Sequence, residues 1–167
     1  MVNIFKVNDK SEILKAFLSI IIVEATGVLS DFLGNVNSGS YEALKKPVIA
    51  PPAYVFPIVW PILYLLIGLA AYRIWETGKQ GKNIRKALLL YVFLLFFNFL
   101  WAILFFRLRL YGLAFVELLI LFIFTMSTTF EFFKYDRLSG LLMIPYIAGV
   151  SFAAALNLSL IHISEPT

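Results

Sequence analysis

Five stretches of predominantly apolar residues divide this chain, each long enough as a helix to cross the hydrocarbon core of a bilayer. Lipid offers the backbone no water, so a spanning segment has to satisfy its peptide groups internally, as a helix does. The runs lie at about 12–33, 53–75, 84–106 and 110–133, with a fifth from about 138. They predict an all-α fold, an integral membrane bundle of five transmembrane helices forming one domain over 1–158. A soluble helical domain does not fit the composition. Of 167 residues 61% are hydrophobic and only 14% charged, 17 are Phe, and the mean hydropathy is +0.89. The last segment, 159–167 (SLIHISEPT), lacks the aromatic-basic ending of a span and looks like a doubtful tail of foreign sequence.

Charge placement orients the bundle. With five spans, Lys6, Lys10, Lys15, Arg73, Lys79, Lys82, Arg85, Lys86, Lys134 and Arg137 fall on the side of the N-terminus, and only Lys45, Lys46, Arg107 and Arg109 on the other. Basic residues concentrate in cytoplasmic loops, which puts the N-terminus in the cytoplasm and the long first loop outside, in a bacterial plasma membrane. The net charge of +4 is thus a topological signal, and no nucleic-acid partner is expected. The first run carries Glu24 and no clear small-x-small cleavage site, so a cleaved signal peptide is not expected either. Glu24 is expected to face the bundle or water. Ser11 is the expected cap of the first helix and Asp136 that of the fifth. Tyr72, Arg73 and Trp75 read as an interfacial belt closing span 2.

Residues 41–64, YEALKKPVIAPPAYVFPIVWPILY, hold Pro47, Pro51, Pro52, Pro57 and Pro61. Proline lacks an N–H and restricts the residue before it, so an irregular segment must enter helix near 53. Broken backbone at membrane depth is tolerated where it is buried in protein or lines a cavity. Trp60, between two of these prolines, is therefore a candidate cavity wall, and 34–52 a candidate lid.

Much chemistry is excluded. There is no Cys and a single His, His162, in the tail. Disulfides, thiol nucleophiles and His-based metal or catalytic sites are therefore not expected. No phosphate-binding loop, GxGxxG or HExxH occurs, and Glu24 and Glu117 are single carboxylates. No catalytic residue, metal site or required cofactor is predicted. What remains within the spans is aromatic and amide chemistry: Trp60, Tyr64, Asn98, Trp101, Tyr146 and Asn157. Apolar and aromatic walls with a few polar groups are the usual make-up of a small-molecule site. For Asn98 and Asn157 the alternative is an interhelical hydrogen bond.

The order Tyr41, Leu44, Lys46-Pro47, Pro51-Pro52, Pro57, Trp60 and Tyr64 resembles the end of the first loop and the start of helix 2 in the TspO/MBR family of translocator proteins. LLFFNFLWAILFF, with Asn98 and Trp101, is similar to the family's helix 3, and YGLAFVELLIL, with Glu117, to its helix 4. LLMIPYIAGVSFAAALN, with Pro145-Tyr146 and Leu156-Asn157, resembles helix 5. The resemblance implies a five-helix protein of the bacterial type, often a homodimer, whose pocket takes tetrapyrroles such as protoporphyrin IX or heme. Synthetic isoquinoline or benzodiazepine-type ligands are implied as well. The matching ligand-binding positions are Pro51, Pro52, Trp60, Asn98, Trp101, Tyr146 and Asn157, with Tyr64 added from its place in the same run. Trp60 and Trp101 would stack on the ligand, Asn98, Tyr146 and Asn157 would orient it, and Lys45 and Lys46 at the mouth would meet its propionates. A receptor is the first reading. A transporter and a light-dependent porphyrin-degrading enzyme are the alternatives.

The chain departs from the family pattern in three places. Gly149 stands where many members carry a Trp after the Pro-Tyr of helix 5, which counts against the enzyme. The Tyr-plus-basic cholesterol motif at the C-terminus is absent, and the tail from Ser159 lacks the family's helix ending. For a homodimer, span 5 supplies one small-xxx-small pair, Gly149 and Ala153, and span 3 supplies no Gly-based motif.

Overall fold

The structure, a computed structural model, describes residues 6–7, 10–11, 13–34, 55–79 and 81–164, with the backbone alone at 6–7, 10–11 and 162–164. Five helices dominate it: α1 (Ile13–Leu33), α2 (Val55–Gly78), α3 (Arg85–Ala102), α4 (Tyr111–Tyr135) and α5 (Arg137–Ser164). All five are long and apolar enough to cross a membrane. The shortest unbroken one outside α3, α1, has 21 residues and spans about 32 Å at 1.5 Å per residue. A two-residue antiparallel bridge pairs Lys6–Val7 with Lys10–Ser11 ahead of α1, so the backbone of Ser11 lies in that bridge.

The element boundaries differ from the sequence reading in three informative ways. Helix α2 continues past Trp75 to Gly78. Helix α3 passes into a π turn, Ile103–Arg107, in which the Leu108 N–H reaches the Ile103 carbonyl at 3.0 Å. Helix α5 runs unbroken through residue 159, and Leu160 is buried beside Leu156, Leu104 and Phe105. The helix crosses residue 158, with Leu160 continuing the inward face set by Leu156.

Helix α1 packs on α2 and, more lightly, on α3; α5 lies between α2 and α4; and α4 returns to α3. The bundle is a closed ring in the order α1-α2-α5-α4-α3. Its interior is filled by Val23, Ile67, Ile74, Leu94, Phe132, Met143 and Val150, while Phe17, Phe32, Val92, Phe96, Ile123 and Phe130 face outward. Both faces of each helix are apolar because lipid is as apolar as the core. Ser19 and Ser30 tie α1 to its neighbours by donating to the carbonyls of Gly68 (2.8 Å) and Phe99 (2.7 Å).

At the end carrying the N-terminus, charged side chains pair across the helix ends. Arg73 donates twice to Asp136, from Nε to Oδ2 at 2.6 Å and from Nη2 to Oδ1 at 3.2 Å. Asp136 caps α5 as expected, accepting from the Ser139 N–H (3.3 Å) and hydroxyl (2.7 Å). Burial alone would raise the Asp136 carboxyl, but the bonds from Arg73 and Ser139 outweigh it and hold the group below the usual carboxylate range. The belt reading is thereby corrected for two of its three residues. Tyr72 and Arg73 are buried, Arg73 because Asp136 gives its guanidinium a partner, and only Trp75 stays 51% exposed. Glu131 bridges Lys86 (3.3 Å) and Lys134 (2.9 Å), and Glu76 meets Lys79 at 3.3 Å.

Candidate ligand site within the bundle

Two polar-aromatic clusters occupy the half of the bundle in which α1 ends and α2 begins. The first joins three helices. Asn98 on α3 donates from Nδ2 to the Tyr64 hydroxyl on α2 at 3.0 Å. Tyr146 on α5 donates its hydroxyl to Asn98 Oδ1 at 2.8 Å. Since α2 and α3 are not ring neighbours, these bonds cross the bundle interior. Trp60, one turn from Tyr64, sets its ring 6.0 Å from that of Tyr64 and edge-on to Tyr146 at 6.2 Å and 84°. Trp60 is five positions beyond Val55, about 7.5 Å along the axis from the start of α2.

Glycine makes these approaches feasible at two points. A Cβ at Gly27 would lie 2.5 Å from Tyr64 Cε2, so the absence of a side chain on α1 lets the tyrosine lean against that helix. A Cβ at Gly149 would lie 2.6 Å from Leu63 Cδ1 and 3.8 Å from the Trp60 indole. Gly149 thus belongs to the wall behind Trp60, and Ala153 is buried in the core. Both members of the small pair of span 5 pack against side chains of this chain.

The second cluster lies closer to the π turn. Trp101 donates from Nε1 to Asn157 Oδ1 at 3.1 Å, and Asn157 Nδ2 donates to the Tyr111 carbonyl at 3.1 Å. Trp101 stacks on Phe105 with centroids 4.9 Å apart, and Phe105 meets Tyr111 edge-on at 5.0 Å. Phe105 and Tyr111 escaped the sequence reading. Phe105 follows Trp101 by four residues and so shares its face, a signal the sequence does carry; Tyr111 is brought against it by the turn into α4.

Of the sequence-predicted residues, Trp60, Tyr64, Asn98, Trp101, Tyr146 and Asn157 are brought together on three helices. Pro51, Pro52, Lys45, Lys46 and the lid at 34–52, apart from Gly34, lie outside the described residues. Within the six, the amides engage other protein groups. Asn98 and Asn157 form the interhelical bonds that sequence offered as the alternative, and they fix Tyr64, Tyr146 and Trp101 in place. No acceptor among the described residues takes the Tyr64 hydroxyl proton, and Trp60 and Trp101 are only partly buried.

Other polar groups in the spans do not join this site. Thr125, Thr128 and Thr129 bond the carbonyl four residues back. Glu117 is buried, with both carboxyl oxygens unpartnered among the described residues, as is the Tyr91 hydroxyl. Among those residues, no three His, Cys, Asp or Glu side chains cluster as metal ligands would.

The sequence also matches the TspO/MBR family, over residues 19–163. The chain belongs to the TspO/MBR family. It is similar to the tryptophan-rich protein TspO of Archaeoglobus fulgidus, 34% identical over 149 residues covering 89% of this chain and 95% of that one. The tryptophan-rich sensory protein of Cereibacter sphaeroides is 35% identical over 117 residues, 70% of this chain and 72% of its own. The translocator protein of Homo sapiens is 34% identical over 118 residues, 70% of each chain. Family membership and five apolar helices together make this an integral membrane protein.

Proposed function

We propose that this chain is a membrane receptor for a planar tetrapyrrole such as protoporphyrin IX or heme. The ligand would lie among α1, α2, α3 and α5 in the half of the bundle where α1 ends and α2 begins. One observation carries the reading: two partly buried tryptophans, Trp60 and Trp101, converge from different helices around a hydrogen-bonded frame. Stacking on the indoles supplies affinity. The Tyr64 hydroxyl, which has a proton to give, meets an acceptor on the ligand. Asn98, Tyr146 and Asn157 act mainly by holding the aromatic walls. Lys45 and Lys46 are assigned to the ligand's carboxylates. The protein sits in a plasma membrane with its N-terminus cytoplasmic, and any homodimer uses a surface other than the Gly149–Ala153 pair.

Beyond the Tyr64–Asn98–Tyr146 frame the interior is closed by Ile67, Ile74, Leu94 and Met143, each buried. This packing favours a receptor over a transporter, which would have to part these side chains. The test is tryptophan-fluorescence titration with protoporphyrin IX in the dark, using the unsubstituted protein, Trp60→Phe, Trp101→Phe and Trp75→Phe. Saturable micromolar quenching is expected, weakened by substitution of Trp60 or Trp101 and unchanged in affinity for Trp75→Phe. Absence of saturable quenching in the unsubstituted protein overturns the proposal.

A further inference from the structure

A second concave feature lies at the opposite end of the bundle, where α2 hands over to α3. It is a groove of about 460 Å³ with an apolar floor of Trp75, Leu88, Leu89 and Val92 and with Lys82 and Arg85 at its rim. Trp75, Leu89 and Val92 are about half exposed, so the floor opens toward lipid. The rim lies at the helix ends, where a membrane interface falls.

The basic residues at the rim differ from their neighbours. Lys86, Lys134, Lys79 and Arg73 are each paired with a carboxylate. Lys82 and Arg85 have no ion-pair partner among the described residues. Their loop is nonetheless held in shape. The Arg85 N–H donates to Asn83 Oδ1 at 3.1 Å, and the Tyr135 hydroxyl donates to the Asn83 carbonyl at 2.7 Å. Gly81 takes φ +91°, a left-handed turn open to glycine, and Ile84 folds back against Gly78, where a side chain would clash. The positive end of the α3 dipole points the same way.

From these features we infer that the groove binds an anionic phospholipid of the adjoining leaflet. Its phosphate lies between Lys82 and Arg85, and an acyl chain lies along Trp75, Leu88, Leu89 and Val92. A free phosphate would use the rim and leave the apolar floor uncovered, whereas a zwitterionic lipid would cover the floor but bring its own ammonium beside the two cations. Only an anionic lipid matches both ends. Basic pockets beside transmembrane helices on the side rich in Lys and Arg select such headgroups in this way.

The experiment uses delipidated full-length protein in detergent. Retention of phosphatidylglycerol and phosphatidylcholine of identical chains is compared by native mass spectrometry. Two basic contacts at an interface predict about a 30-fold preference for the anionic lipid. Lys82→Gln and Arg85→Gln should each remove much of it, while Lys134→Gln, a charge already paired with Glu131, should leave it intact. Brominated phosphatidylglycerol should also quench a fluorescence component that is lost in Trp75→Phe, which places the chain in the groove without relying on stability. Equal retention of the two lipids overturns the proposal. So does an equal loss in Lys134→Gln, which would mean diffuse surface charge. Loss of the preference on adding inorganic phosphate, with no Trp75 quenching, would show an anion site without a lipid and would overturn it too.

Discussion

The Tyr64–Asn98–Tyr146 frame can be tested by taking it apart in both orders. Asn98→Ala deletes two hydrogen bonds and strands the hydroxyl of Tyr146, a side chain with no exposed surface. Interhelical hydrogen bonds in membranes contribute about 0.6 kcal/mol on average. Leaving a buried hydroxyl without an acceptor costs about 1–3 kcal/mol, so the expected loss is about 2–4 kcal/mol. Tyr146→Phe removes the donor instead and leaves one amide oxygen unpaired, with an expected loss of about 1 kcal/mol. In the double variant the stranded hydroxyl is gone. Asn98→Ala/Tyr146→Phe should therefore be at least as stable as Asn98→Ala alone, a coupling of about 1–2 kcal/mol. Reversible unfolding in mixed micelles, followed by far-UV dichroism for the four proteins, reads this cycle. Strict additivity would mean that the frame is not a unit, and the account of how Asn98 holds the aromatic walls would fail with it.

Two further outcomes follow from the charged groups. Asp136 has its carboxyl held low in the folded protein, so its contribution to stability is fully present above the unfolded value of about 3.9. That contribution is lost as pH falls through the lower folded value. Asp136→Asn should cost about 2 kcal/mol at neutral pH and should flatten the acid limb of a stability-versus-pH curve below about pH 4; an unchanged acid limb would refute the assignment. Glu117 has no partner to lose among the described residues, so Glu117→Leu should leave stability within about 1 kcal/mol or raise it. A loss above about 2 kcal/mol in the same unfolding assay would reveal a partner for the carboxyl.

The sequence was sufficient for the number of spans, their approximate ends and the asymmetry of basic residues. These properties are local: a run of apolar side chains either covers the hydrocarbon thickness or does not, and lipid forces its backbone into a helix whatever its neighbours. It also marked Trp60, Tyr64, Asn98, Trp101, Tyr146 and Asn157, because a polar or indole group is conspicuous against Leu, Ile and Phe. Which face each helix turns inward was not legible. In a soluble bundle an apolar stripe would show it, but here the outward Phe96 and Ile123 are as apolar as the inward Leu94 and Leu121. Only the tertiary structure decided the ring order α1-α2-α5-α4-α3. It paired Asn98 with two tyrosines, set Tyr111 against Phe105, drew Arg73 from the interface to Asp136, and left Lys82 and Arg85 without an ion-pair partner among the described residues. Each depends on what a second helix places opposite, and interhelical contacts of that kind have no signature in the spacing of a single span.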